Sequence, residues 1–213
     1  MPKSTERMTQ PDSKCSIRLL MDMDDVDGTF HRMLAEGRSS LRFFLGDRQR
    51  RASLFTGNLV DDRVFVASLN GRPAGYLCFQ WQGRGPYRPA LADFRRCFGR
   101  LWGELRWLAF HFFERRTYPL GFYVYGLKVS RWARRHGVAS ALMQAAEAHA
   151  RGLSARRISL EVHCDNQPAI RFYEHCGFHV EKIHVFRWLK PLFGVSGFVR
   201  LVRDIDDVAG GLN

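Results

Sequence analysis

One short segment contains the residues whose types and spacing point most directly to chemistry. It spans residues 134–139, Arg-Arg-His-Gly-Val-Ala, between an apolar run and a helical pattern. A glycine at the turn into a helix leaves backbone N–H groups uncovered at the helix N-terminus, where the helix dipole favours anions. The segment therefore predicts a seat for a pyrophosphate group, although a glycine at such a turn can also serve the turn alone.

Four neighbouring elements would position this loop. Residues 122–129 are aromatic and β-branched, which indicates a strand, and residues 137–151 have apolar side chains at helical spacing. A second strand is predicted over residues 156–163, where apolar and polar side chains alternate. A short helix then begins at Asn166 and is closed by Gly177.

These motifs together resemble the GNAT superfamily, the Gcn5-related acyl-CoA N-acyltransferases. The family's loop has a valine, then Gln or Arg five residues on, then x-x-Gly-x-Gly/Ala. The matching residues here are Val129, Arg134, Gly137 and Ala139. The family's Asn-x-x-Ala-x-x-Phe-Tyr-x-x-x-Gly-Phe block is present with full spacing across residues 166–178. Arg131 stands where the family often has a proline. The likeness is specific over residues 123–185 and only topological before them.

The resemblance implies an α/β (α+β) fold with a central, mostly antiparallel, twisted sheet of six to seven strands flanked by helices. A helical insert is expected between the third and fourth strands. Before the insert, Asn70-Gly71 predicts a hairpin turn between two alternating strands. We expect these boundaries: an N-terminal tail at 1–14, a single acyltransferase domain at 15–207 with the insert at about 86–117, and a C-terminal tail at 208–213.

The remaining elements are assigned from local patterns. We expect a first strand over residues 16–23, a helix over 26–37, a helical or irregular stretch over 40–54, and final strands over 180–188 and 198–205. The resulting order, β-α-α-β-β-insert-β-α-β-α-β-β, is the one that the resemblance predicts.

The resemblance also implies acetyl-CoA as the acyl donor. Backbone N–H groups of the glycine loop would hold its pyrophosphate, and the strand ending at Val129 would pair with the pantetheine arm. The expected cofactor-binding residues are Leu127, Val129, Arg134, Arg135, His136, Gly137, Val138, Ala139 and Asn166. Leu127 and Val129 would act through their backbone only. Asn166 could instead simply cap the following helix.

Two side chains are the candidates for catalysis. Tyr173 matches the family's general acid, because a phenol stays protonated at neutral pH and can donate to a thiolate. Glu161 is the candidate base, in a Leu-Glu-Val setting similar to that of the bacterial ribosomal-protein N-terminal acetyltransferases. Alternatively, Glu161 is a solvent-facing strand residue or forms an ion pair with Arg157 or Arg171, and Tyr173 is an ordinary half-buried aromatic. His163, on the same strand face, is the other candidate base.

The composition indicates the class of protein and the compartment in which it works. The 213 residues carry a net charge of +12 and five cysteines without a C-x-x-C pair. We expect one cytoplasmic domain with reduced thiols, and neither a signal peptide nor a membrane span is indicated. No metal is expected, because Gly177 separates His175 from His179. The charge suits polyanions such as coenzyme A, yet no motif specific for nucleic acid is present.

The insert carries a wide amphipathic stripe flanked by arginines. Its apolar members are Phe94, Phe98, Leu101, Trp102, Leu105, Leu108, Ala109, Phe112 and Phe113. We favour docking of this stripe on the domain or on a second subunit, as Gly99 and Gly103 suit close packing. Peripheral membrane contact through residues 91–113 and a lid over substrate are the alternatives.

The sequence therefore predicts an N-acetyltransferase acting by direct attack of a primary amine through a tetrahedral intermediate. The acceptor is unidentified: a protein N-terminus, a lysine or a small-molecule amine all fit, and a homodimer is left open. One rival is a long-chain N-acyltransferase of the N-acyl amino acid synthase type. The other is a non-catalytic basic module that binds acyl-CoA or nucleic acid.

Overall fold

The computed structural model describes residues 14–23, 28–35, 42–185 and 196–205. The strands are β1 (Cys15–Leu19), β2 (Val64–Leu69), β3 (Arg72–Gln80), β4 (Phe122–Val129), β5 (Arg157–His163), β6 (His179–Val185) and β7 (Gly197–Asp204). The helices are α1 (Thr29–Ala35), α2 (Arg42–Leu45), α3 (Arg48–Phe55), α4 (Leu91–Phe98), α5 (Arg100–Arg115), α6 (Val138–Gly152) and α7 (Gln167–His175).

The strands form one sheet in the order β1-β2-β3-β4-β5-β7-β6. Each neighbouring pair is antiparallel except β4 and β5, which run parallel. The parallel pair requires a crossover connection, and α6 supplies it. The predicted α/β class, the mostly antiparallel sheet and the position of the helical insert are thereby confirmed.

The hairpin between β2 and β3 turns at Asn70 and Gly71, as predicted. Both residues have positive φ, 51° and 77°, which is the backbone conformation that a two-residue hairpin turn requires. The first strand is shorter than predicted: β1 ends at Leu19, and residues 20–22 form a 3₁₀ turn that buries Leu20. The predicted strand over residues 16–23 therefore extends four residues beyond the end of β1.

The main core lies between the sheet and α6. Leu142, Ala146 and Ala150 of α6 are fully buried against it. Phe79 of β3 stacks on Phe122 of β4, with ring centroids 4.7 Å apart. This packing fixes β4 and the N-terminus of α6 relative to each other. The loop between them therefore has a rigid base.

The insert consists of two helices, because Gly99 ends α4 with φ +79° and α5 starts at the next residue. Gly103 of α5 packs against the backbone of α4, where an added Cβ would lie 2.7 Å from the Phe94 carbonyl oxygen. The close packing expected of Gly103 is therefore confirmed.

Most of the predicted apolar stripe does not dock on the described residues of this chain, which corrects the expectation of docking on the domain; docking on a second subunit stays a prediction. Phe94 is buried, and the half-buried members are Phe98, Ala109 and Phe113. The exposed members are Leu101, Trp102, Leu105, Leu108 and Phe112. Docking instead uses the opposite face of α5, through Gly103 and Phe110. The error arose because α5 is apolar on two faces, so the period alone could not tell which face packs inward.

Sequence predictions that fall on residues 1–13, 24–27, 36–41, 186–195 and 206–213 lie outside the described residues. Within the described ranges, no helix combines the length and apolar composition needed to cross a bilayer. The same ranges contain no group of three or more His, Cys, Asp or Glu side chains able to hold a metal ion.

Candidate active site

β4 and β5, two neighbouring strands in the middle of the sheet, separate part-way along their length. β4 pairs with β5 only through Phe122–Val124, opposite Ile158–Leu160. Beyond Val124 the two strands diverge, and a bulge in β4 at Tyr125 interrupts its register with β3. A gap therefore opens along one edge of residues 125–129, which is the edge at which an extended ligand can pair with the strand.

The glycine loop lies at the end of this gap and presents its backbone. Among the described residues, no acceptor takes the N–H groups of residues 135–140; the first helical bond runs from the Ala141 N–H to the Gly137 carbonyl. Gly137 has φ +74°, in the left-handed region, and caps α6. The loop is therefore a row of unused donors at a helix N-terminus, which is an anion site.

The surroundings of these donors fit a diphosphate. A Cβ added at Gly137 would meet nothing within 4 Å, so the space above the amides is open. The side chains of Arg134, Arg135 and His136 are exposed around it. Arg135 has φ +65°, and the His136 ring bonds the Arg134 carbonyl at 2.8 Å. These residues fit the pyrophosphate of coenzyme A in charge and in available donors.

A cavity of about 150 Å³ occupies the gap between the diverging strands. Its lining comes from the insert and four strands: Cys78, Tyr87, Phe113, Arg116, Thr117, Tyr123, Tyr125, Gly126, Glu161, His163 and Phe198. Most of these side chains are aromatic, and Glu161 and Arg116 supply the charges. The cavity can therefore hold a small group against a mainly apolar wall.

Glu161 lies at the cavity wall with both carboxylate oxygens engaged. Arg116 donates to Oε2 at 2.6 Å, and Arg200 donates to Oε1 at 2.9 Å. The Glu161 side chain is only 7% exposed. The alternative of an ion pair for Glu161 is therefore realised, but with other arginines than those suggested, because Arg157 pairs with Asp204 and Glu181 instead. Two guanidinium groups therefore occupy both oxygens of this carboxylate.

The end of α5 is fixed so that Arg116 reaches this carboxylate. The Tyr125 hydroxyl donates to the buried Glu114 carboxylate, and the Thr117 hydroxyl donates to the Gln80 side chain. The Thr117 hydroxyl also lies 2.7 Å from the Glu114 carbonyl oxygen. These contacts tie the insert to β3 and β4 at the cavity wall.

His163 lies two residues after Glu161 and lines the same cavity. Its ring packs edge-on against Phe198, with centroids 5.0 Å apart. Burial lowers the pKa of His163 below its usual value, against the opposing effect of Asp165. No described side chain bonds its ring nitrogens. A neutral imidazole facing a cavity at neutral pH is able to accept a proton.

Tyr173 lies in the main core, near the C-terminal end of α7. It is buried and packs edge-on against Phe172 and Phe178. Burial raises the pKa of Tyr173 well above its usual value, and Cys176 adds to the rise. The phenol therefore stays protonated at any physiological pH, as a proton donor must. Tyr173 is not part of the cavity lining that contains Glu161 and His163.

Asn166 caps α7, since its side-chain oxygen accepts from the Ala169 N–H at 3.3 Å. That is the alternative role that the sequence left open for it. Leu127 and Val129 lie on the unpaired length of β4, with side chains packed against the main core. Their backbone is therefore placed along the gap while their side chains hold the strand.

The comparison with known proteins agrees with this geometry. The profile of the Acetyltransferase (GNAT) family matches residues 34–178, which is more than half of the chain. The chain belongs to the GNAT family. It is therefore an acyl-CoA N-acyltransferase, and the family uses acetyl-CoA as its donor. No curated protein sequence matches the chain.

Solved GNAT structures share the fold over nearly the whole chain at low identity. The ribosomal-protein-S18-alanine N-acetyltransferase from Escherichia coli is 15% identical with TM-score 0.54, covering 94% of this chain and 99% of that one. An agmatine N-acetyltransferase mutant is 16% identical with TM-score 0.56, covering 90% and 100%. SsHAT is 14% identical with TM-score 0.59, covering 91% and 99%. At these identities the likeness concerns the fold.

The sequence interpretation missed most of the cavity wall. Tyr123 and Tyr125 alternate on β4, and this spacing of two could have indicated a shared face. Arg116 and Arg200 lie 45 and 39 residues from Glu161. No local pattern pairs them with it. Arg200 is the direct cross-strand neighbour of Glu161, so only the β5–β7 register reveals the contact.

Proposed function

We propose that this GNAT enzyme transfers acetyl from acetyl-CoA to the primary amine of a small or terminal group, by direct attack of the neutral amine. The observation that carries the proposal is the divergence of β4 and β5, with unused backbone amides at one end and a small aromatic cavity beside it. Acetyl-CoA supplies the activated thioester. The chain supplies the sites that hold donor and amine together.

On the donor side, the roles are mostly backbone roles. The N–H groups of residues 135–139 bind the pyrophosphate, and the Arg134 and Arg135 side chains add charge-assisted contacts. The backbone of Leu127 and Val129 pairs with the pantetheine arm. A backbone N–H of this strand length also polarises the thioester oxygen, and such a donor is worth about 100-fold in rate.

For proton transfer, we propose Tyr173 as the acid that protonates the departing thiolate. The high pKa of its buried phenol supports this, because the proton is retained until a strong base forms beside it. For the base, the contacts favour His163 over Glu161. His163 has a lowered pKa and faces the cavity, whereas Glu161 is held by two guanidinium groups.

The size of the cavity supports a short acyl group. At about 150 Å³ it is smaller than the roughly 300–1,000 Å³ of sites that enclose drug-sized ligands. A long acyl chain would have no room there beside an amine. The walls suit the end of a chain that carries an amine, such as a peptide N-terminus, a lysine or a small-molecule amine.

The test is acetyl-CoA consumption against a panel of peptides with free N-termini, lysine peptides, polyamines, aminoglycosides and amino acids. We expect saturable turnover with one class and none with the same compound acetylated beforehand. Hydrolysis of acetyl-CoA without acceptor is subtracted. Turnover that is equal across all amines would contradict a formed acceptor site.

A second measurement separates the acyl-chain rival. Thermal shifts with acetyl-CoA and with a long-chain acyl-CoA are compared at equal concentration. We expect acetyl-CoA to stabilise the protein by mass action. Stabilisation by the long-chain thioester alone would overturn the acetyl assignment.

A further inference from the structure

The outward face of α5 is an apolar surface that the described part of the chain leaves uncovered. Leu101, Leu105, Leu108 and Phe112 follow one another at the spacing of a helix face. Each is between 57% and 81% exposed, and Trp102 beside them is 63% exposed. We call these five residues the outer stripe. At 1.5 Å per residue the stripe is ~16 Å long.

The outer stripe is not needed to hold α5 in place. The opposite face is docked through Gly103, Phe110 and Glu114, all buried. Arg106 completes that face: it donates to the Phe44 carbonyl at 2.9 Å and lies 4.7 Å from the Phe98 ring centroid. Exposed apolar side chains in a continuous row, on an element already anchored, are typical of a binding surface.

The charges around the stripe are positive. Arg100 and Arg115 lie exposed at the two ends of α5, ~22 Å apart by helical rise, and neither pairs with any described acid. The acids of the insert are already used. Glu104 pairs with Arg95 at 2.6 Å and Asp93 pairs with Arg96 at 2.7 Å.

This charge pattern distinguishes two possible partners of the outer stripe: a second copy of α5 and an anionic lipid surface. In a twofold antiparallel pairing of α5 with its copy, Arg100 of each helix would face Arg115 of the other. Like charges would then meet at both ends, and α5 offers no uncommitted acid among its described residues. An anionic lipid surface supplies the missing counter-charges, and the ring of Trp102 suits the boundary between headgroups and acyl chains.

We propose that the outer stripe binds the surface of an anionic lipid bilayer, with α5 lying parallel to it. The apolar side chains enter the interface, and Arg100 and Arg115 contact the headgroups. Phe113 in the last turn of α5 and Arg116 just after it line the proposed acceptor cavity. Docking therefore brings the acceptor entrance close to the membrane surface.

The proposal is tested by flotation of the full chain with vesicles of phosphatidylcholine alone or mixed equally with phosphatidylglycerol. Wild type floats with the mixed vesicles, and high salt weakens the binding. Leu108→Glu removes an exposed leucine that the proposal places in the bilayer interface and adds a negative charge, so partitioning falls by about 10-fold or more. Ile183→Glu is the matched control, because Ile183 of β6 is exposed to the same 58% as Leu108.

A second variant, Arg100→Glu with Arg115→Glu, keeps the stripe and reverses its flanking charges. It loses flotation with mixed vesicles, while its thermal shift with acetyl-CoA stays that of wild type. Wild type that fails to float overturns the proposal, as does an equal loss in Leu108→Glu and Ile183→Glu. A dimer in light scattering that Leu108→Glu dissociates, with no vesicle binding, assigns the stripe to a second copy instead.

Discussion

The donor side and the acceptor side of the site are built in opposite ways. The donor side is one stretch of six backbone N–H groups, residues 135–140, with exposed cations beside them. The proposed acceptor side is a set of side chains from the insert and four strands, and the charges of Arg116 and Glu161 are paired within the protein. In the proposed function, one side binds through its backbone and the other through side-chain contacts that depend on the whole fold.

This difference determines which side chains can be changed without loss of the binding site and which cannot. A backbone anion site needs one glycine, one helix start and little else, so neighbouring side chains are free to differ. The acceptor cavity depends on Arg116, Tyr125 and Phe198 meeting Glu161 and His163 across long sequence distances. Changes there alter the shape and charge that an amine encounters, while the donor remains bound as before.

The largest expected effect tests the donor side. Gly137→Asp places a β-carbon on a left-handed residue and a negative charge beside the phosphates. We expect acetyl-CoA affinity to fall about 100-fold, because two or more charge-assisted hydrogen bonds are lost. Titration calorimetry measures it. Gly137→Ala is the control for backbone strain alone and should lose far less. Unchanged affinity in Gly137→Asp would locate the pyrophosphate elsewhere.

The next largest effect tests the proton transfer from Tyr173 to the departing thiolate. Tyr173→Phe keeps the aromatic packing and removes the proton donor. Turnover should fall at least ~10-fold, with the acetyl-CoA dissociation constant nearly unchanged. Tyr76→Phe, another buried tyrosine, is the control and should keep its turnover. Equal turnover in Tyr173→Phe and wild type would remove the acid role.

The base assignment predicts a pH dependence of turnover. Burial lowers the pKa of His163, so its neutral form dominates above that pKa. Turnover should therefore rise with pH along an acid limb centred below the ordinary value of about 6.5. His163→Gln should flatten this limb and reduce turnover by ~10-fold or more. If Glu161→Gln flattens the limb and His163→Gln does not, the base is Glu161.

The sequence predicted the elements on the donor side well and the contacts on the acceptor side poorly. β4 begins and ends at the predicted residues, and α6 starts one residue after the predicted Gly137. These elements have local signals: a β-branched and aromatic run, a glycine, and a regular apolar period. The hairpin at Asn70-Gly71 was predictable for the same reason.

The rest depends on contacts that no local signal encodes. The inward face of α5 could not be chosen from its period, since Phe110 and Leu108 fit opposite faces equally well. The ion pairs of Glu161 required the register of β5 with β7 and the position where α5 ends. Long-range pairing of this kind is set by the packed fold, so the sequence alone assigned the wrong arginines.

The smallest expected effect tests whether Arg116 balances the charge of Glu161 at the cavity wall. Arg116 is 46% exposed and Arg96, in the Arg96–Asp93 pair, is 65% exposed. Replacing either with alanine should cost less than about 1 kcal/mol of unfolding free energy in urea titrations.

Only Arg116→Ala should change substrate binding, because it leaves Glu161 with one guanidinium and makes the cavity wall more negative. The KM of a cationic amine should then fall about 2- to 5-fold, while Arg96→Ala keeps the wild-type KM. A KM that rises in Arg116→Ala would mean that this guanidinium contacts the acceptor directly. The acceptor would then carry an anionic group next to its amine, as the carboxylate of a free amino acid does.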